Sequence, residues 1–261
     1  MHPRLTLVAL GILATLLLAG AAFASVIQSG NLRVTVLAQV KPYRLPRTEP
    51  APIAVFIAGH IANPAGGTPP QLRRLTVRVN RHGLLDDTGL PICHFSQIQP
   101  GSAQRALERC SGALVGSGRI WASVVFPDQR PYATHGRVLV FNGRKAGKHV
   151  LFAHIYSTIP FSTSFVMTFA VEHLAANKTY GTQLSSSLPQ VLGDWGFIDR
   201  LKLTLRRTYH YRGKERSYFN AACPAPEGTQ TVSFPLALAT LSFAGGERLS
   251  ATVNKSCRVK E

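Results

Sequence analysis

Alternation of apolar and polar residues at period two runs through much of this chain and constrains its fold more than any other feature. Leu75-Thr76-Val77-Arg78-Val79-Asn80 alternates cleanly. Leu201-Lys202-Leu203-Thr204-Leu205 does so too, and the pattern resumes at Tyr209 and Tyr211. Near the C-terminus Leu249, Ala251, Val253 and Cys257 share one phase. Successive side chains of a strand point to opposite faces, so these runs predict strands with one face in a core. Two further runs, 150–156 and 165–171, are apolar in both phases and read as central strands covered on both sides. Asn142-Gly143, Arg212-Gly213, Gly245-Gly246 and Pro69-Pro70 are turn signals. Only residues 102–109 read as helix, with Ser102 as the cap and Gly112 past the end.

The expected fold is therefore all-β: an antiparallel sandwich or flattened barrel with one short helix near 102–110. Its core should include Val77, Ile120, Trp121, Leu139, Phe152, Phe169, Leu203, Leu205, Phe234 and Phe243. An N-terminal strand and a Pro-rich linker should occupy 25–58 and the main domain 59–261, with 175–189 as the boundary of an alternative two-lobe arrangement. At 45% hydrophobic and 16% charged residues, the 261-residue chain is neither disordered nor a polytopic membrane protein.

The N-terminus reads as an export signal. A short positive segment, Met1-His2-Pro3-Arg4, precedes an apolar run over 5–18, and Ala22-Phe23-Ala24 has small residues where a signal peptidase cuts. Cleavage after Ala24 would leave Ser25 as the first residue. The competing reading keeps residues 5–27 as a single membrane anchor, and both leave the bulk of the chain outside the cytoplasm. That compartment is oxidising, and the four cysteines suit two disulfides. Three pairings are possible. Sequential pairing closes the shorter loops, which favours Cys93 with Cys110 and Cys223 with Cys257.

Several segments occur in a telling order. Gly89-Leu90-Pro91-Ile92-Cys93 is followed by Ala106-Leu107, Cys110, Leu114-Val115-Gly116-Ser117-Gly118 and Phe141-Asn142-Gly143. Later come Tyr211-Arg212-Gly213-Lys214, Ser217-Tyr218, Cys223-Pro224-Ala225-Pro226 and Cys257. In these segments, over about 59–259, the chain resembles a group of exported, uncharacterised β-rich proteins from high-GC bacteria. The resemblance implies export, the two-disulfide pattern and a β-rich fold, and carries over no catalytic residue.

Catalytic motifs are scarce. There is no Gly-x-Ser-x-Gly elbow, and Gly116-Ser117-Gly118 reads as glycines relieving a bend inside a strand. No phosphate loop, dinucleotide fingerprint or His-Glu-x-x-His motif occurs. Asp86-Asp87-Thr88-Gly89 admits calcium but reads better as a turn. Asp194 and Asp199 flank Trp195, yet on an extended strand they point to opposite faces about 17 Å apart, too far for a glycosidase pair. His149 and His154 would likewise take opposite faces, and His135, His173 and His210 stand alone in sequence. No cofactor or metal is expected.

Charge is the strongest functional signal: 29 Lys and Arg against 12 Asp and Glu, a formal +17. Lys202, Arg206 and His210 are expected on one strand face opposite Leu203 and Leu205, with Arg212 nearby. Arg137, Arg144, Lys145 and Lys148 form a second basic group, and Arg73, Arg74, Arg78 and Arg81 a third. Such faces attract an anionic cell-surface polymer or lipid headgroups, while also serving solubility. Specific nucleic-acid readout is not expected, because no recognition motif is present. The expectation is an exported, extracytoplasmic binding or interaction module without intrinsic catalysis. Lys202, Arg206, His210 and Arg212 would form its polyanion site. The alternative is a secreted hydrolase with a site assembled from distant residues.

Overall fold

A computed structural model describes residues 24–126, 130–175, 177–188 and 196–260. Residues 1–23 of the expected signal segment over 1–24, and the pair member Asp194, lie outside the described residues. The chain is all-β, as the alternation predicts. Its first strands are β1 (Ala24–Ser29), β2 (Leu32–Lys41), β3 (Arg44–Leu45), β4 (Ala51–Pro52) and β5 (Ala54–Ala62). Next come β6 (Leu72–Asn80), β7 (Gly83–Leu85), β8 (Leu114–Val124), β9 (Tyr132–Lys145) and β10 (Lys148–Ser157). They are followed by β11 (Thr163–His173), β12 (Tyr180–Ser187), β13 (Gly196–Leu205), β14 (Thr208–Tyr211) and β15 (Lys214–Ser217). The last are β16 (Phe219–Ala221), β17 (Thr231–Phe243) and β18 (Arg248–Val259).

Thirteen of these strands form one sheet, in the order β1-β2-β5-β13-β8-β9-β10-β11-β12-β6-β17-β18-β3. All neighbours are antiparallel except the short parallel pairing of β3 with β18. A sheet this wide must curl to bury its apolar face. It curls into a half-barrel, and its ends pack together: Leu32, Val34 and Ile61 meet Ala239, Leu241, Phe243 and Leu249. The segment over 25–58 thus holds β1, β2, β3 and the start of β5 within this sheet, and β12, inside the alternative boundary over 175–189, pairs with β11.

The inner face carries the main core, built around Val115, Ile120, Val138, Val140, Leu151, Ile155 and Tyr218. Ile120, Leu139, Phe152, Leu205 and Phe243 are buried as expected, while Phe169, Leu203 and Phe234 are partly buried against the core. Trp121 was expected in the core but points outward, because it is out of phase with Ile120 on β8. Strand β10 is buried on both faces. Leu151, Ala153 and Ile155 take the inner core, and Val150 and Phe152 pack outward under two short helices, α1 (Phe95–Ile98) and α2 (Ala103–Cys110). Strand β11, expected to be covered likewise, is mostly half-buried. Helix α2 is the predicted one, with Arg105 N–H donating to the Ser102 hydroxyl at 3.2 Å. Cys93–Cys110 ties it to the sheet, and Cys223–Cys257 ties the segment after β16 to β18. Both pairs are those expected, and two disulfides with no free cysteine suit an oxidising, extracytoplasmic environment.

The turns divide. Arg212 and Gly213 both have positive φ, 51° and 72°, in the two-residue loop between β14 and β15. That left-handed pair matches the twist of the strands. Asn142-Gly143, also expected to turn, lies inside β9 instead; the hairpin closes three residues later, where Ala146 takes φ 48°. Asn142 stays in the strand because burial engages its amide, as described below.

Candidate functional site

Alternation in β13 sends Leu201, Leu203 and Leu205 toward the core and leaves Lys202 and Thr204 on the outer face. The same phasing in the neighbouring strands assembles an outward groove of about 880 Å³ across β2, β5, β13, β8, β9 and β10. One row of directly opposed residues runs through it. Leu37 faces Ala58, Ala58 faces Lys202, Lys202 faces Arg119, Arg119 faces Arg137, and Arg137 faces Tyr156. Residues in such positions have Cβ atoms roughly 5 Å apart. Three cations therefore stand side by side with no acid between them.

Aromatic and hydroxyl groups flank the row. Gln39, Phe56, Thr204 and Ser117 line one side, and Trp121 and His135 the other. The guanidinium of Arg200 lies 5.9 Å from the Trp121 ring and the ammonium of Lys41 5.6 Å from the Phe56 ring, so cations sit over both aromatic platforms. Among the described residues no Asp or Glu lines the groove. Asp199 lies in a bulge of β13 beside it and accepts a 2.8 Å hydrogen bond from the Ser123 hydroxyl. Burial raises its pKa against the pull of that hydrogen bond, His60 and Arg200.

Gly116-Ser117-Gly118 lies within β8, where a strand-relieving role was expected. A Cβ on Gly118 would stand 2.1 Å from the Lys202 carbonyl, so glycine is what lets β8 approach β13 and brings Arg119 beside Lys202.

The four residues expected to bind polyanions are all exposed, but they do not share one strand. Lys202 is on β13 in the groove, Arg206 is in the two-residue link after it, His210 is on β14, and Arg212 is at the β14–β15 tip. The chain changes sheet at Arg206-Arg207, which breaks the face that a single strand would have given. Arg137 of the second basic group joins the groove, while Arg144 turns inward to pair with Asp87. Arg119, Trp121, Phe56 and Tyr156 were not foreseen as site residues. The sequence signal was the outward phase of Arg119 and Trp121 beside the buried Ile120.

A second polar cluster lies under the surface, and the segments that carry the sequence resemblance converge on it. Asn142 donates from its side-chain amide to the Pro91 carbonyl at 3.1 Å, and its backbone carbonyl accepts from Cys93 N–H at 2.9 Å. The Tyr218 hydroxyl is 2.8 Å from His149 Nε2, which is also 3.1 Å from Asn142 Oδ1. Tyr209 donates to the carbonyls of Asp86 and Thr88, and Asp86 accepts from Thr88 N–H and from Arg216. Burial alone would raise the Asp86 pKa, but the bonds from Thr88 and Arg216 outweigh it and hold it low. Burial pushes His149 below its usual value, more than the nearby Asp87 restores. Asp86 and Asp87 thus serve a turn and two ion pairs. Among the described residues the one His–Asp approach in the cluster is the 3.9 Å between His149 Nε2 and Asp87, and that nitrogen already meets Tyr218 and Asn142. Among the described residues no serine or threonine hydroxyl is hydrogen-bonded to a histidine, and no three metal-ligating side chains gather in one place.

No family model, curated protein or solved structure matches this chain.

Proposed function

We propose that this protein is an exported binding module whose outward groove holds an anionic polymer of the cell envelope, an acidic polysaccharide in chemical class. The observation that carries the reading is the row Lys202–Arg119–Arg137, three directly opposed cations in a groove that no acid among the described residues lines. Like charges in such positions repel, and a bound anion converts that cost into attraction. The groove crosses six strands, about 24 Å at the usual spacing, which suits an extended chain better than a single headgroup. Tyr156 offers a flat apolar face for a sugar ring, Lys41 and Arg200, seated over Phe56 and Trp121, add positive charge beside the row, and Ser117, Thr204 and Gln39 offer hydrogen bonds between the charges. The two disulfides support an extracytoplasmic setting, and the N-terminal apolar run supports export.

The test is retention on an acidic-polysaccharide column under a salt gradient. The triple variant Arg119→Gln, Arg137→Gln, Lys202→Gln should elute far earlier than the double variant Arg206→Gln, Arg212→Gln. Equal losses would assign binding to overall charge. Binding of both sets to phosphatidylglycerol vesicles but not to the polysaccharide would assign it to a lipid surface.

A further inference from the structure

The geometry points to a second binding site, independent of the groove: a pocket inside the half-barrel for a small apolar carboxylate, with Lys255 as the group that holds the anion. Strand β18 alternates strictly, and its inward row is Leu249, Ala251, Val253, Lys255 and Cys257. Four of these suit a core. Lys255 has the same phase and is only 7% exposed. Lysine is rarely so covered, and its ammonium, which keeps some contact with solvent, has no anion beside it among the described residues. Among the described residues none of the ion pairs involves Lys255. Its one charge contact is with the Tyr43 ring, whose centroid lies 5.9 Å from the ammonium.

Lys255 lines a cavity of about 130 Å³ whose other walls include Val40, Val79, Leu184, Phe234 and Leu236. The carbon-lined interior and the single cation belong to one compartment. Tyr43, which lines the same cavity, is 39% exposed, so this end of the cavity reaches solvent. An apolar cavity of about 150 Å³ accepts benzene, which sets the size here at one ring or a short branched chain and excludes a long acyl chain. A carboxylate on that body would complete the pairing that Lys255 lacks. A neutral ligand would leave the cation unpaired, and a cationic one would be repelled.

The probe is benzoate, followed by methyl NMR of the full protein, with benzyl alcohol and benzylamine as neutral and cationic counterparts. Benzoate should bind saturably and shift the methyl signals of Val79, Leu184 and Leu236, and benzylamine should not. Lys255→Met should weaken benzoate roughly tenfold to a hundredfold, the worth of one charge-assisted contact, and leave benzyl alcohol unchanged or tighter. The variant should fold, since Met keeps an apolar chain of similar length against the carbon-lined wall. If it does not, the preference of the unaltered protein for benzoate over benzylamine at these methyls still decides. Equal binding of benzoate by Lys255→Met, equal binding of benzylamine, or shifts confined to the outer basic groove would each overturn the assignment.

Discussion

Arg119 on β8 stands directly across from Arg137 on β9, with Lys202 directly across on its other side. Antiparallel pairing sets these positions opposite one another, and neither charge can leave without breaking the outward phase of its strand. Replacing Arg119 with Gln should therefore raise stability at low ionic strength by about 0.5 kcal/mol, the scale of one cross-strand pair. Salt screens exposed charges, so the gain should shrink as salt rises. Thermal melts of both proteins at two salt concentrations check this. A variant less stable at low salt would mean that the row is not under repulsion.

Gly118 is the position that lets β8 come close enough to place this row. Gly118→Ala should cost about 1–3 kcal/mol in urea unfolding, the usual result of overpacking, because its Cβ would sit 2.1 Å from the Lys202 carbonyl. Unchanged stability would show that β8 and β13 have room to part.

Much of the fold was legible in the sequence because it rests on local rules. Arg212-Gly213 marks a left-handed turn by residue type, Ser102 caps its helix, and period two sets the inward faces of β13 and β18. Asn142-Gly143 misleads because its side-chain amide is engaged by Pro91, a partner 51 residues away. The turn falls instead at Ala146-Gly147, with φ 48° and 75°, the same residue-then-glycine pattern as Arg212-Gly213, which the Asn142-Gly143 pair just upstream overshadows in the sequence. The groove was illegible for a different reason. Its row takes one residue from each of six strands, and which residues face each other depends on register, which no single segment encodes. Lys202 was singled out from local charge, but its neighbours Arg119 and Arg137 come from β8 and β9. Lys255 was legible in principle: it interrupts the apolar phase of Leu249, Ala251, Val253 and Cys257.

Stability should fall on mild acidification. Burial holds His149 and His154 below the ordinary 6.5, so both take up a proton less readily in the folded state than in the unfolded chain. As pH drops through 6.5 the unfolded chain takes up protons first, and the stability present above that pH is progressively lost below it. Urea midpoints at pH 7.5 and 5.5 should differ, and His149→Gln should narrow the difference. An unaltered difference would mean that His149 titrates alike in the folded and unfolded chain.

The disulfides should contribute through the unfolded state. Replacing Cys223 and Cys257 together by Ser should cost about 2–4 kcal/mol, with Cys93 and Cys110 somewhat less because their loop of 17 residues is shorter than 34. Paired melts under non-reducing conditions give the comparison. Equal or reversed losses would indicate that native packing around the bridges outweighs loop closure.

The central claim is that the Lys202–Arg119–Arg137 row is where an anionic polymer binds, and salt dependence of the dissociation constant for one defined acidic oligosaccharide tests it most directly. Each cation that contacts the polymer steepens the fall of log affinity with log salt. The account predicts that the triple Gln variant flattens that slope markedly, while Arg206→Gln with Arg212→Gln leaves it nearly intact. A slope unchanged by the triple variant, or lowered equally by both sets, would contradict it.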